Sequence, residues 1–204
     1  IAILVYTSGT TGPSKGAMIN HKNLLYSVNT GVEIFEAREH EEQLSFLPLC
    51  HILERSVSVM FPLKTGAVVN FAESIDTFST NLAQASPTVF LGVPRIWTKF
   101  QDSILNTIPQ KKLNVLLKIP ILNSIIRKKI KKKLGLSDTQ VIFTGAAPIS
   151  ISQLIWFQRL GINICQAYGL TEDCILSHFN LPGNNKFGSV GKPLGNIQIK
   201  FSPE

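Results

Sequence analysis

Short apolar runs alternate along the chain with longer segments whose apolar residues recur at helical spacing. The short runs predict β-strands, because a strand buried on both faces reads as a continuous apolar stretch. They lie at residues 1–5, 44–47, 67–72, 88–91, 140–144, 162–165 and 175–179. The longer segments predict helices at residues 24–35, 54–63, 77–85, 94–104 and 151–160, with a further helical section up to residue 134. This alternation favours an α/β fold with a largely parallel sheet flanked by helices.

Residues at the segment ends support these helices. Asn20 and Ser150 are suited to accept hydrogen bonds from the free N–H groups of a first turn. Pro94 can occupy a first helical position, and Gly66 can close the helix of residues 54–63.

Three loops, at residues 7–15, 145–148 and 166–172, each follow an apolar run that predicts a strand. Ligands of open α/β sheets bind at the carboxyl ends of the strands. We therefore expect the three loops to form one composite site.

The first loop (TSGTTGPSK) combines glycines and hydroxyl side chains with one lysine. Glycines let the backbone approach a ligand closely, and clustered N–H and hydroxyl groups donate to phosphate oxygens. The loop therefore predicts a polyanion site, rather than a flexible linker. It is not a Walker loop, because Ser14 stands where that motif requires glycine before Lys15.

The third loop carries an aromatic ring at Tyr168 and two carboxylates at Glu172 and Asp173. Tyr168 could stack on a planar base, with Gly169 leaving room for that base. Either carboxylate could hold Mg²⁺ against phosphate, or the loop could be an ordinary turn whose acidic residues face water. The middle loop has only small side chains, and a flat ligand or a tight turn fits it equally well.

Composition narrows the class of protein. The chain of 204 residues is 44% hydrophobic, enough for the core of one domain. No apolar stretch approaches the ~20 residues of a membrane span. Its three cysteines lack CxxC spacing and its four histidines are scattered, so no metal cage is indicated. An odd cysteine count with no secretory signal favours a cytoplasmic setting.

The net charge of +7 is concentrated in a run that begins at Arg127 and ends at Lys133. The preceding segment is rich in leucine and isoleucine, so the two together form a basic amphipathic stretch. Such a stretch indicates peripheral contact with an anionic membrane face, or the solvated side of a surface helix. Nucleic acid is not expected, because no aromatic residue is interleaved for base stacking.

Residues 7–16 (TSGTTGPSKG) and 168–172 (YGLTE) together resemble the two signature motifs of the adenylate-forming superfamily. Residues 46–55 (FLPLCHILER), 87–90 (PTVF) and 93–97 (VPRIW) resemble the long-chain fatty acyl-CoA synthetase branch, and residues 188–194 (GSVGKPL) match a further landmark. The resemblance implies that a fatty acid attacks the α-phosphorus of ATP, giving acyl-adenylate and pyrophosphate. Coenzyme A then displaces AMP.

The resemblance also implies residue roles. The β- and γ-phosphates of ATP would be held by Thr7, Ser8, Gly9, Thr10, Thr11, Gly12 and Lys15. Thr7 and Glu172 would bind Mg²⁺, which makes them, with Lys15, the candidate catalytic residues. Thr171 would contact the α-phosphate, and Tyr168 would pack on adenine beside Gly169. The adenine and acyl pocket would be lined by Gly145, Ala146, Ala147 and Gln166. His51 would lie near the substrate carboxylate, unless it is a packed core histidine.

The resemblance also implies that the family's ribose-binding aspartate and hinge lie beyond Glu204, and that part of the sheet lies upstream of Ile1. We expect residues 1–204 to be a central fragment of the large N-terminal adenylation domain, without the small C-terminal domain. Two alternatives stay open: transfer of the acyl group to a carrier protein or a hydroxyl, and a non-catalytic nucleotide-binding remnant. Asp173 departs from the family pattern, in which a small or hydroxyl residue is more usual.

Overall fold

A computed structural model describes residues 1–7 and 12–202 of the chain. The strands are β1 Ile3–Thr7, β2 Lys15–Ile19, β3 Glu42–Ser45, β4 Val68–Phe71, β5 Val89–Leu91, β6 Val141–Thr144, β7 Cys165–Tyr168, β8 His178–Phe179 and β9 Lys192–Pro193. The α-helices are α1 His21–Phe35, α2 Ile52–Arg55, α3 Phe61–Thr65, α4 Phe78–Ala85, α5 Pro94–Thr107, α6 Gln110–Leu116, α7 Pro120–Lys133 and α8 Ile151–Arg159. A π-helical turn, Ser56–Met60, joins α2 to α3.

The main sheet has the strand order β5-β6-β7-β8-β9. Its first three strands are parallel, and β8 and β9 add antiparallel pairs. Strands β3 and β4 form a separate parallel pair. The α/β class with flanking helices is therefore confirmed, and the sheet is mixed.

One aromatic cluster fixes helices α5 and α8 against this sheet. Trp97 and Phe157 are fully buried, with ring centroids 5.2 Å apart. Phe90 of β5 meets the Trp97 ring edge to face at 5.6 Å. The Trp97 indole N–H donates to the Gly92 carbonyl at 2.8 Å, so no polar group of this ring is left unpaired. The cluster holds the carboxyl end of β5 in place.

The strand predicted as apolar and buried at residues 1–5 is half-exposed in the structure. β1 pairs with β2 in an antiparallel two-stranded sheet, and it is not part of the main sheet. Its side chains therefore alternate: Val5 is buried, whereas Leu4 is 48% and Tyr6 68% exposed. Strand β2 was not predicted, because glycine and lysine begin it.

The bounds of β7 and β8 differ most from the prediction. The apolar residues Ile162 and Ile164 are buried, but they precede β7, which extends to Tyr168 instead. The run predicted at residues 175–179 is a strand only at His178–Phe179, because the residues before it form a turn. Burial without ladder pairing produces the same apolar signal as a strand, which explains both shifts.

The helix boundaries follow their predicted end residues. Asn20 and Asn23 form a reciprocal capping box at α1, and the Ser150 hydroxyl caps α8. Pro94 begins α5, and Gly66 ends α3 at φ 78°, a left-handed conformation that glycine adopts without strain. In the described part of the chain, no helix is long and apolar enough to span a bilayer.

Candidate active site

A cleft of about 480 Å³ opens where β6 and β7 end, between the mouth of the β1–β2 hairpin and the start of α2. It brings together members of all three predicted loops. The predicted site residues that line it are Thr7, Lys15, His51, Gly145, Ala146, Tyr168, Gly169, Thr171 and Glu172. The structure thus brings described residues of the three loops to one cleft.

Other predicted site residues lie elsewhere. Gly12 and Ala147 are exposed and do not line the cleft. Gln166 also lies outside the lining, and its side-chain oxygen accepts a hydrogen bond from the Gly188 N–H at 3.2 Å. It therefore ties β7 to the segment that leads into β9. The rest of the first loop, Ser8, Gly9, Thr10 and Thr11, lies outside the described residues.

The hairpin mouth is closed by Thr7 and Lys15, which are opposite each other in the β1–β2 register. The Thr7 hydroxyl donates to the Lys15 carbonyl at 3.3 Å. This bond uses the hydroxyl proton and leaves the oxygen lone pairs available to accept or to coordinate. Both residues thus lie at the base of the first loop and line the cleft.

A tight turn after β7 carries the acidic end of the site. The Ile175 N–H donates to the Leu170 carbonyl at 2.9 Å, which folds the chain back on itself. A side chain at Gly169 would overlap the Ile175 carbonyl, so this glycine is required by the turn itself. The proposed reason, room for a stacked base, is not needed to explain it. Cys174 and Ile175 have φ of 55° and 67°, a strained conformation for non-glycine residues.

The two carboxylates of this turn have different positions. Asp173 accepts a hydrogen bond from the Leu170 N–H at 2.8 Å and does not line the cleft. Partial burial raises the pKa of Asp173 above its ordinary value, against the lowering effect of the backbone bonds from Leu170 and Ile175. Glu172 is exposed, lines the cleft and is the carboxylate available to a ligand. Asp173, where the sequence differs from the family pattern, therefore closes the turn through its carboxylate.

Tyr168 lies at the last position of β7, with 45% of its surface exposed. Its ring meets the imidazole of His178 edge to face, with centroids 5.9 Å apart. His178 is in turn hydrogen-bonded through Nδ1 to the Ser177 hydroxyl at 2.8 Å. One edge of the tyrosine is therefore fixed, while the ring still borders the cleft.

His51 is exposed at the start of α2, so the alternative of a packed core histidine is wrong. Its Nδ1 accepts a hydrogen bond from the Leu53 N–H at 3.1 Å and caps the helix. In the neutral ring this contact assigns the proton to Nε2. His51 thus presents an N–H donor at the cleft that it lines.

Two small residues after β6, Gly145 and Ala146, also line the cleft. A side chain at Gly145 would meet the carbonyl of Ala167 on the neighbouring strand at 3.2 Å. Ala146 has φ 66°, an unusual backbone conformation for alanine. Backbone strain at a strand end that borders a cleft is typical of a binding site.

A second cavity, of about 110 Å³, adjoins the cleft; its lining is mostly apolar and also includes Glu41 and Gln43. Leu53, Leu91, Ile175 and Phe179 line both spaces. Sequence reasoning missed this cavity. Its signal was the four-residue spacing of Leu53, Val57 and Phe61, all of which line it.

The residues placed at the cleft fit a magnesium ion. Thr7 supplies a hydroxyl oxygen and Glu172 a carboxylate, the hard oxygen donors that Mg²⁺ takes together with phosphate and water. Among the described residues, no group of three or more His, Cys, Asp or Glu side chains forms a metal cage. This set suits an ion that arrives with a phosphate substrate.

The fold is that of the N-terminal domain of adenylate-forming enzymes. An ATP-bound MatB from Rhodopseudomonas palustris superposes with a TM-score of 0.70 at 26% identity, covering 94% of this chain and 33% of that one. The N-terminal domain of FACL13 from Mycobacterium tuberculosis, bound to an inhibitor, superposes with a TM-score of 0.68 at 20% identity over 94% of this chain and 42% of that chain.

Sequence comparison agrees with the fold. Residues 1–201 match the family of AMP-binding enzymes, and the chain belongs to that family. It is 31% identical to a long-chain-fatty-acid–CoA ligase, ACSBG2, from Xenopus laevis over 97% of this chain. It is 30% identical to fatty acyl-CoA synthetase B from Dictyostelium discoideum over 98% of this chain. The chain spans 31% and 33% of the length of these two relatives.

Proposed function

We propose that the protein to which this chain belongs activates a long-chain fatty acid with ATP and then forms the coenzyme A thioester. The observation that carries the proposal is the shared wall of the two cavities. Leu53 and Phe179 border both the cleft, which contains the charged and polar side chains, and the mostly apolar cavity. A fatty acid has this same division, because its carboxylate is charged and its chain is apolar. The similarity to long-chain-fatty-acid–CoA ligases supports the same substrate class.

In this proposal the residues of the cleft position the reacting groups. Lys15 and the hairpin mouth hold the phosphates that leave as pyrophosphate, and Thr171 contacts the α-phosphate. The Nε2–H of His51 donates to the fatty acid carboxylate and orients it for attack. Thr7 and Glu172 hold Mg²⁺, which neutralises phosphate charge. Because this is an in-line displacement, alignment and charge stabilisation account for most of the acceleration.

The role of Glu172 is tested by Glu172→Gln in the full-length protein. We expect fatty-acid-dependent pyrophosphate release to fall by roughly a hundredfold, because an amide is a much poorer magnesium ligand than a carboxylate. Glu33→Gln on α1 removes an equal charge from an exposed position outside the cleft and serves as the control. Equal rates in the two variants would refute the magnesium role.

The apolar cavity is tested by Val57→Phe, since Val57 lines it and does not line the cleft. The larger ring shortens the space for the chain, so we expect the preferred fatty acid to become shorter. The measurement is kcat/KM for saturated acids of graded length. A uniform loss at every length would show that the cavity does not hold the acyl chain.

The final acceptor is part of the proposal. Transfer to a carrier protein would use the same first step, so pyrophosphate release alone does not separate the two reactions. Assays of the full-length protein with and without coenzyme A do: acyl-CoA formation supports the ligase, and accumulation of acyl-adenylate despite coenzyme A contradicts it.

We also propose that residues 1–204 supply the phosphate and metal half of a larger site. The proposal of a larger site is supported by the relatives, because the chain covers only 31% and 33% of their lengths. We expect this chain alone to form no acyl-CoA. We also propose a cytoplasmic location. The three cysteines support it, since Cys50, Cys165 and Cys174 are all free thiols.

A further inference from the structure

The end of α6, the connection to α7 and the first two turns of α7 carry an exposed group of apolar side chains. Ile121 is 76% exposed, Val115 59%, and Ile119 and Ile125 are each 44% exposed. Pro120, also exposed, lies among them at the first turn of α7. We call these five residues the apolar corner. Scattered single exposed hydrophobic residues are normal, but a group within eleven consecutive residues marks an interaction site.

A set of lysines surrounds the apolar corner. Between Asp102 and Asp138 the sequence contains no acidic residue. The side chains of six lysines in this interval are exposed and form neither a hydrogen bond nor an ion pair with any described residue. They are Lys111, Lys112, Lys118, Lys128, Lys129 and Lys132. Their charges are therefore not used to hold the fold together.

Helix α7 presents both features on the same side. Its turn of 3.6 residues places Ile121, Ile125, Lys128 and Lys132 along one face, and all four are exposed. Isoleucines occupy the first half of this face and lysines the second half. A surface that accepts this face must therefore offer an apolar interior beside negative charge.

The opposite side of α7 is already anchored to the protein. Ile130 is 4% exposed and belongs to the main core, against which Ile126 also packs. The Arg127 guanidinium donates through Nε to the Arg159 carbonyl at 3.0 Å, which ties α7 to the end of α8. The apolar corner is therefore held outward on a fixed helix.

Beside this face, a recess of about 370 Å³ lies between α7 and the end of α8. Ser124, Arg127, Lys128 and Lys131 line it, so it offers three cations and a hydroxyl. A phosphate-bearing headgroup matches its charge, and Pro120 of the apolar corner is one of the residues that line it.

We propose that this face of α6 and α7 docks on an anionic lipid bilayer, with the apolar corner inserted among the acyl chains and the lysines at the headgroups. Apolar residues beside lysines are the composition of an interfacial helix, and each lysine near an anionic surface adds to its affinity. Nucleic acid fits less well, because residues 103–137 contain no aromatic side chain to stack on bases. Docking here would place the domain at the source of a lipid substrate.

The test uses the full-length protein and sedimentation with vesicles. We expect binding to vesicles of phosphatidylcholine mixed with phosphatidylserine, and little binding to phosphatidylcholine alone. Binding should weaken steeply as salt rises, because the lysine attraction is screened. Equal binding to the two vesicle types, or none to either, would overturn the proposal.

Two variants separate charge from insertion. Lys128→Gln, Lys129→Gln and Lys132→Gln together should weaken binding by about a hundredfold, since each lysine is worth roughly fivefold near an anionic surface. Ile121→Ser with Ile125→Ser should weaken binding to the same vesicles even at low salt. The charge-matched control, Lys22→Gln, Lys64→Gln and Lys186→Gln, alters exposed lysines of other segments and should bind like the wild type.

Accessibility of the apolar corner is measured with an Ile121→Cys variant that carries an environment-sensitive fluorophore. Its emission should shift to the blue on addition of anionic vesicles, as the probe enters an apolar phase. A blue-shifted emission without vesicles, unchanged by them, would show that another part of the protein covers this face and would overturn the proposal. The same shift with an acidic protein but not with lipid would do so as well. Because these readouts do not involve catalysis, they are independent of the proposed ligase activity.

Discussion

The carboxyl group of Asp173 closes the turn that presents Glu172 to the cleft. Partial burial raises its pKa above the ordinary value of 3.8, and the neighbouring charge of Glu172 raises it further. The folded protein thus binds this proton more tightly than the unfolded chain. The tighter proton binding at Asp173 therefore stabilises the fold fully at pH below 3.8. This stabilisation is lost as pH rises through the raised pKa of Asp173.

We therefore predict that Asp173→Asn keeps the acceptor oxygen for the Leu170 N–H and removes this pH dependence. The free energy of unfolding of the wild type, minus that of the variant, should decrease as pH rises from acid to neutral. Urea titrations at several pH values measure it. Asp173→Ala also removes the acceptor and should cost about 1 kcal/mol relative to Asn. An increase of the difference with pH would contradict the raised pKa.

At the scale of elements, the π-helical turn decides which side chains reach the apolar cavity. Leu53, Val57, Phe61 and Thr65 all line it at four-residue spacing. In an α-helix of 3.6 residues per turn this spacing drifts forward around the axis. The π-turn, in which the Phe61 N–H bonds to the Ser56 carbonyl, takes more residues per turn and drifts backward. The two drifts offset each other, so one face stays on the cavity.

Buried polar contacts hold this turn against β3. Glu54 is 4% exposed, and its Oε1 accepts hydrogen bonds from the hydroxyls of Ser45 at 2.5 Å and Ser58 at 2.7 Å. Gln43 donates through Nε2 to the Val57 carbonyl at 2.6 Å. The strand thereby fixes the helix that carries His51 at its start.

We predict that Glu54→Leu destabilises the domain by about 2 kcal/mol, because it leaves two buried hydroxyls without an acceptor. Adding Ser45→Ala and Ser58→Ala should restore most of that loss, since removal of every partner is nearly neutral. The free energies of unfolding of the single and triple variants test this. A triple variant no more stable than Glu54→Leu would show that the carboxylate acts by another route.

At the scale of the whole molecule, helix α1 connects distant parts of the chain at the site. The Ser27 hydroxyl donates to the Cys174 carbonyl at 3.1 Å in a buried contact across 147 positions of sequence. The Tyr26 hydroxyl, one position earlier, accepts from the Asn196 N–H at 2.8 Å. The turn that carries Glu172 and Asp173 is thus held in place by α1, which is not part of the main sheet.

We predict that Ser27→Ala costs about 1 kcal/mol and loosens the turn at residues 169–175, because the Cys174 carbonyl loses its donor. Hydrogen exchange of the amides in that turn should accelerate, while exchange in α5 stays unchanged. Ser103→Ala, at an exposed position of α5, is the control. Unchanged exchange at residues 169–175 would show that the turn does not depend on α1.

Much of the fold was readable because local signals are strong at helix ends. Each of four residues begins or ends a helix through its own conformational or hydrogen-bonding preference, within one or two turns of sequence: Asn20, Gly66, Pro94 and Ser150. Strand bounds were less readable: Ile162 and Ile164 are buried without belonging to a strand. Whether an apolar residue pairs in a ladder depends on its neighbour in space, which a local pattern does not contain.

By itself, the sequence determined the α/β class, the helix ends and the loops whose composition suits phosphate. It could do so because glycine, hydroxyl and capping residues act on the backbone next to them. Only the tertiary structure decided that Glu172 faces the cleft while Asp173 closes the turn, that His51 is exposed, and that an apolar cavity adjoins the cleft. Those outcomes depend on contacts between segments far apart in the chain, which no local pattern specifies.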